Sequence, residues 1–212
     1  MFWDFQWTWE VMPDLLQGLK VTVQATLLGY LIALVLGLGV AMLRRVPVLG
    51  TLVHAVMEFI RTTPLLVQLV FVFALVPSTV TALTVGIVVL GVHYSAYTAE
   101  VYRSGIEGVA KGQWEAARAL SLPAYRTWGA VVLPQAIRKV IPALGNYLIA
   151  MFKDTPLLLA ITVTELLAMA QRVGNDEFRI VEAYTVVGFL FLLVSIPSAF
   201  IIRRLERRYA AV

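Results

Sequence analysis

The sequence predicts an all-α integral membrane protein with about five transmembrane helices, and three observations lead there. First, 60% of its 212 residues are hydrophobic and 14% charged, with a mean hydropathy of +0.83. That is more apolar surface than one water-soluble core hides. Second, roughly five segments reach the ~20 apolar residues that a bilayer crossing needs. No stretch between them is large enough for a separate soluble domain, so residues 1–212 read as a single transmembrane domain. Third, the basic residues are spaced as a topology signal: Arg44 and Arg45 follow the first span, Arg103 to Lys139 surround a polar middle, and Arg203, Arg204, Arg207 and Arg208 follow the last span. Positive charge gathers on the cytoplasmic side, which predicts an outside amino terminus, a cytoplasmic carboxy terminus and an odd number of crossings. The net charge of +4 is accounted for in this way and implies no nucleic acid. With zero cysteines, disulfides and thiolate metal sites are excluded.

The chain opens with Trp3, Phe5, Trp7 and Trp9 among Asp4, Glu10 and Asp14. A cleaved signal peptide begins with basic residues; this start predicts an uncleaved anchor with an aromatic belt at headgroup level. The first span, about 21–43, ends at Arg44-Arg45 with Pro47 beyond, and Ala33, Gly37 and Ala41 are spaced for close helix packing, within the protomer or between subunits. A second span over about 53–76 begins with His54, Glu58 and Arg61. Glu58 and Arg61 stand three apart and can neutralise each other. Gln68, deeper, needs a partner, either a neighbouring helix or a solute. The third span, about 83–102, places His93, Tyr97 and Glu100, with Ser104 beyond, on one helical face. Ionisable groups in a span face the bundle interior or a wet cavity, so this face either lines a pathway or serves structural hydrogen bonds. One histidine and one carboxylate make no metal site.

Residues 104–130 form a polar island, "SGIEGVAKGQWEAARALSLPAYR" and its continuation. Trp114, Ala117, Leu120 and Leu122 recur near helical spacing with Lys111, Glu115, Arg118 and Arg126 on the other sides. So modest an apolar face predicts a helix lying against another protein. The next segment, about 134–171, is too long for one straight crossing at ~1.5 Å per residue and must be broken. Pro142 and Gly145 loosen its first half. Pro156 then lacks an amide hydrogen and pushes Thr155 out of helical geometry, beside Lys153 and Asp154. Backbone freed in a bilayer is tolerated only where protein buries it or a cavity wets it, and broken helices are where transporters bind polar solutes. The alternative is that Lys153 locks the bundle by pairing with Asp154 or Glu100. The last span, about 184–202, is bent by Ser195 and Pro197.

Glu115-Ala116-Ala117 followed by Val131 to Pro134 resembles the EAA signature of ABC importer permeases. "FIRTTPLLVQL", "HYSAYTAEVYRSGI", "LPQAIRKVIPALGNYLIAMFKDTPL" and "SIPSAFIIRRLERR" are similar to the polar amino-acid branch of that family, and within it to permeases for ectoine and hydroxyectoine. The resemblance implies a type I importer fold in the bacterial cytoplasmic membrane, surrounded by lipid. It implies a second permease copy or paralogue, an ABC ATPase dimer beneath, and an extracytoplasmic solute-binding protein delivering a small zwitterion. It further implies that Gly112, Glu115, Ala116, Ala117, Leu120, Ser121 and Pro134 belong to the segment docked on the ATPase, with Ala116, Ala117 and Leu120 its apolar ridge. Lys153, Asp154 and Thr155 would then meet the substrate, with Gln68, Tyr97 and Glu100 as further candidates. The family pattern carries glycine where Ser121 stands and usually serine where Pro156 stands. The chain has no GxxxxGK[ST] phosphate loop, so it is expected to bind no cofactor of its own and to leave ATP and magnesium to the partner; it would be a transport subunit and not an enzyme. The competing reading is an ion-coupled carrier or channel using His93, Glu100, Lys153 and Asp154 as a relay.

Overall fold

The computed structural model describes residues 3–210, all of whose regular elements are helical. Helix α1 (Phe5–Leu43) starts far before the expected residue 21: Asp4 caps it by accepting from the Trp7 amide, and the helix continues through Pro13, which lies inside it and lacks an amide hydrogen. Trp7 is buried with Val11 and Leu15 against residues 166–190, whereas Phe5 and Trp9 are exposed. α2 (Leu49–Thr62) and α3 (Leu65–Leu75) meet at 103°. The segment expected as one span over 53–76 is therefore a bent pair. The cause is local: Pro64 forces Thr63 into extended backbone, and a new helix starts from the proline.

α4 (Ala82–Glu107) starts at the Thr81 cap and packs along α1. Ala33, Gly37 and Ala41 are all buried in this seam, where the Thr98 hydroxyl donates to the Ala33 carbonyl at 2.7 Å. A Cβ on Gly37 would fall 2.0 Å from the Thr98 Oγ1, so the small residues serve packing within the chain. After α5 (Lys111–Ala119) come a short turn α6 (Ala124–Arg126), a π-helical turn (Thr127–Val132) and α7 (Leu133–Asp154). α7 runs unbroken through Pro142; Gly145 makes room for Ile202 of the last helix, since an added Cβ would lie 2.8 Å from that side chain. At Pro156 the α-helix gives way to a 3-10 turn (Thr155–Ile161), and Thr162 at φ 66 directs the chain into α8 (Leu166–Asp176). α9 (Ile180–Ala210) closes the bundle and stays helical through Pro197.

Helices α1, α4 and α9 are long and apolar enough to cross a membrane; counting each bent pair as one span gives up to five. The Asp4 end is clamped by Arg179, which pairs with Asp4 at 2.9 Å and Glu182 at 3.2 Å and lies over Trp7. At the opposite end, Arg44 pairs with Glu100 at 2.8 Å and contacts His54 at 3.0 Å, while Arg103 bridges Glu100 and Glu107.

Candidate solute site and docking face

The break after α7 leaves Asp154 at the end of a helix, facing α4. Tyr94 donates its hydroxyl to Asp154 Oδ2 at 2.6 Å. Around this pair, the rings of His93, Tyr94, Tyr97 and Tyr147 form one continuous cluster, with centroids 5.4–6.4 Å apart. Tyr94 and His93 are buried, while Tyr97, Tyr147 and Asp154 are only half-buried, so the cluster has an open edge. A carboxylate framed by aromatic faces suits a cation, which ion pairing and the ring quadrupoles both attract.

Gln68 reaches the cluster from α3 and is already occupied. Its amide nitrogen donates to the carbonyls of Ile60 (2.8 Å) and Thr63 (3.1 Å), and its oxygen contacts His93 Nδ1 at 3.0 Å. Of the two partners the sequence allowed it, Gln68 has the neighbouring helices: it satisfies the carbonyls that the Pro64 bend exposes. Tyr97 joins the cluster and directs its hydroxyl at the Arg61 carbonyl, 3.5 Å away. Glu100, expected on the same face, is engaged by Arg44 and Arg103 instead.

The three consecutive residues expected at the substrate diverge. Thr155 is fully buried and spends its hydroxyl on the Phe152 carbonyl at 2.8 Å. Lys153 is exposed in a cleft of about 630 Å³ between α7 and α9, with Pro156, Ser195 and Arg203 on its walls. Neither the Lys153–Asp154 nor the Lys153–Glu100 lock is formed among the described residues. Successive helical residues point about 100° apart, so Lys153 and Asp154 face different sides. Sequence reasoning missed Tyr94, Tyr147 and Arg61. Tyr94 lies three residues before Tyr97 and Tyr147 seven before Asp154, both helical spacings that put them on the same faces.

α5 presents the second surface. Glu115 and Ala116 are exposed and Leu120 is 73% exposed, but Ala117 is 2% exposed. Ala117 thus seats the helix on its own chain and leaves the expected ridge. Leu120 points outward because α5 ends at Ala119, and Leu120 leaves the face that Trp114 and Ala117 share. The helix is fastened by Trp114 packed edge-on against Trp128 at 5.1 Å, by the Arg45 guanidinium 4.9 Å over Trp128, and by Gln135 donating to Gln113 at 3.3 Å. Ser121 holds φ 51 in the left-handed turn after α5, the conformation glycine adopts without strain. Gly112 is open: a Cβ there would meet nothing within 4 Å. Pro134 is exposed in the first turn of α7, directly after the π-helical turn.

The fold is that of a membrane protein, a helical bundle with several helices apolar enough to cross a bilayer, one broken at Pro156, and a short amphipathic helix beside them. The chain belongs to the family described as the binding-protein-dependent transport system inner membrane component, which matches residues 29–211. It is an ABC transporter permease subunit, a transport component rather than an enzyme. It is 42% identical over 199 residues to a probable amino-acid ABC transporter permease protein, y4tG, of Sinorhizobium fredii, covering 92% of this chain and 86% of that one. It is 34% identical to the glutamine transport system permease protein GlnP of Escherichia coli, covering 97% and 98% of the two chains. A solved structure of an amino acid ABC transporter with histidines superposes with a TM-score of 0.91 at 30% identity, over 98% of this chain and 100% of that one. The inward-facing methionine transporter MetNI shares the fold, with a TM-score of 0.72 at 19% identity, 98% and 99% covered.

Proposed function

We propose that this chain is the permease subunit of an amino-acid importer, passing a small zwitterion across the membrane by alternating access. The observation that carries the reading is Asp154 at the break of α7, bonded to Tyr94 and half-open beside Tyr97 and Tyr147. It offers one negative charge and aromatic faces to an ammonium group, in a bundle where an unmatched charge is costly. Relatives described as amino-acid, glutamine and cystine permeases favour an α-amino acid, with ectoine and hydroxyectoine as the other candidates. In this reading the amino terminus lies outside and the carboxy terminus inside a bacterial cytoplasmic membrane, consistent with five crossings. A second permease copy or paralogue completes the path, a solute-binding protein delivers cargo, and α5 docks on an ATPase dimer that alone uses ATP and magnesium.

The test is ATP hydrolysis and uptake by the complex in lipid, with its ATPase and binding protein, across ectoines and polar amino acids. Stimulation by an amino acid supports the reading, and stimulation by ectoines alone moves the cargo to that class. Uptake driven by an ion gradient without ATP overturns it in favour of a carrier. Asp154→Asn should abolish uptake while the complex still assembles; undiminished uptake places the solute elsewhere.

A further inference from the structure

Asp154 answers only one end of a zwitterion, and Lys153, the cation adjacent in sequence, faces the α9 cleft instead. A different cation borders the aromatic cluster. The Arg61 guanidinium lies 5.5 Å from the centroid of the Tyr97 ring, and the same ring packs on Tyr147 at 5.4 Å and Tyr94 at 5.9 Å. Arg61 Nε is buried and without a hydrogen-bond partner. Among the described residues its one carboxylate neighbour is Glu58, at 3.6 Å from Nη1 and 52% exposed, so that pair is loose and solvent-screened. The backbone around Arg61 is held in place: Gln68 grips the carbonyls of Ile60 and Thr63 on either side of it, and the Tyr97 hydroxyl reaches its own carbonyl. A guanidinium lying over a ring keeps its N–H edges free, and that edge matches a carboxylate in bidentate fashion.

We propose that Arg61 is the carboxylate-binding residue of this site, so that the permease selects intact α-amino acids over analogues whose carboxylate is neutralised. The inference rests on the Asp154 reading above. The ammonium end lies at Asp154 and Tyr94, the carboxylate end at Arg61, and Tyr97 touches both. The Pro64 bend acquires a purpose here: it brings a residue from the end of α2 to a ring of α4, and Gln68 fixes it there.

The experiment is equilibrium binding to the lipid-embedded permease–ATPase complex without the binding protein, which would impose its own selectivity. The probes are L-glutamine and L-arginine, each against its α-carboxamide. One charge-assisted hydrogen-bonded contact corresponds to roughly 10- to 100-fold, so the unaltered complex should prefer each acid by about that factor. Arg61→Gln should bring acid and amide within about threefold, by weakening the acid alone. Arg61→Lys should keep a reduced preference, and Glu58→Gln should retain or increase it. Arg61→Gln with its acid preference intact overturns the proposal, as does Lys153→Gln erasing that preference. Should Arg61→Gln fail to assemble, the Arg61→Lys and Lys153→Gln pair decides in the same terms. Asp154→Asn separates the two claims: loss of acid and amide binding alike upholds the ammonium site whatever Arg61 does, whereas normal binding removes the site and this inference with it.

Discussion

Replacing Gln68 with leucine isolates what holds the bend between α2 and α3. The substitution keeps the volume and the helical propensity of the site and removes contacts to Ile60 O, Thr63 O and His93 Nδ1, at 2.8, 3.1 and 3.0 Å. Hydrogen bonds between membrane helices contribute about 0.6 to 1.7 kcal/mol each, so losing all of them costs about 2 to 5 kcal/mol. Leucine recovers about 1 kcal/mol of this through its own apolar burial, which leaves a net cost of about 1 to 4 kcal/mol. For a chain of this size, 1 kcal/mol moves the melting midpoint by about 2 to 4 °C. The lipid-embedded complex should therefore melt about 2 to 16 °C lower, with solute binding weakened in proportion to the disordered bend. An unchanged melting midpoint together with abolished solute binding would refute the reasoning, since Gln68 would then be a ligand and not a brace.

Gly37→Ala should sharply lower the yield of folded protein, because its Cβ meets Thr98 2.0 Å away, whereas Gly39→Ala, with nothing within 4 Å, should leave yield and melting unchanged; size-exclusion profiles of the two decide. Leu120→Asp should abolish ATPase docking with the bundle intact, measured by co-purification of the two subunits. Ala117→Trp, at a position 2% exposed, should instead loosen α5 itself and expose its backbone to hydrogen exchange. The Trp7 amide, opposed by partial desolvation and reinforced by the Arg179 guanidinium, holds the Asp4 carboxyl below the usual carboxylate range. Its folded pKa is thus below the unfolded value of about 3.9, so the clamp contributes fully above that value and is lost as pH falls through the folded one. Melting in lipid from pH 7 to pH 3 should show an acid loss that Asp4→Asn removes; an identical acid limb in both proteins would refute it.

The two prolines show what was legible in the sequence. Pro156 was readable as a break because its segment is too long for one crossing and charged residues precede it. Pro64 acts by the same stereochemistry, yet the apolar run on both sides has the length of one span, and hydropathy averages over a corner. Periodicity carried α5 as far as Ala119, but placed Leu120 on the face of Trp114 and Ala117 because the pattern does not mark where the helix stops. The Arg61 environment was hidden for another reason. Its neighbour Glu58 is close in sequence, while Tyr97, 36 positions away, comes near only after the chain bends. Asp154 could be picked out as an intramembrane charge; the direction of Lys153 could not, since adjacency in sequence says nothing about which neighbour waits on each side.

The Arg45 guanidinium over Trp128 ties the support of α5 to the segment that follows α1. From Phe5 to Leu43, α1 is an uninterrupted helix, a rod of about 58 Å at 1.5 Å per residue. Just past its Leu43 end Arg45 lies over the ring that packs on α5, and just before its Phe5 end stands the Asp4–Arg179 clamp. A tilt of about 5° at one end would sweep the other through about 5 Å on that length, more than the reach of an ion pair. The support of α5 and the Asp4 clamp thus sit at the two ends of one helix, and a rigid tilt of that helix would couple a displacement at α5 to the opening of an ion pair at its other end.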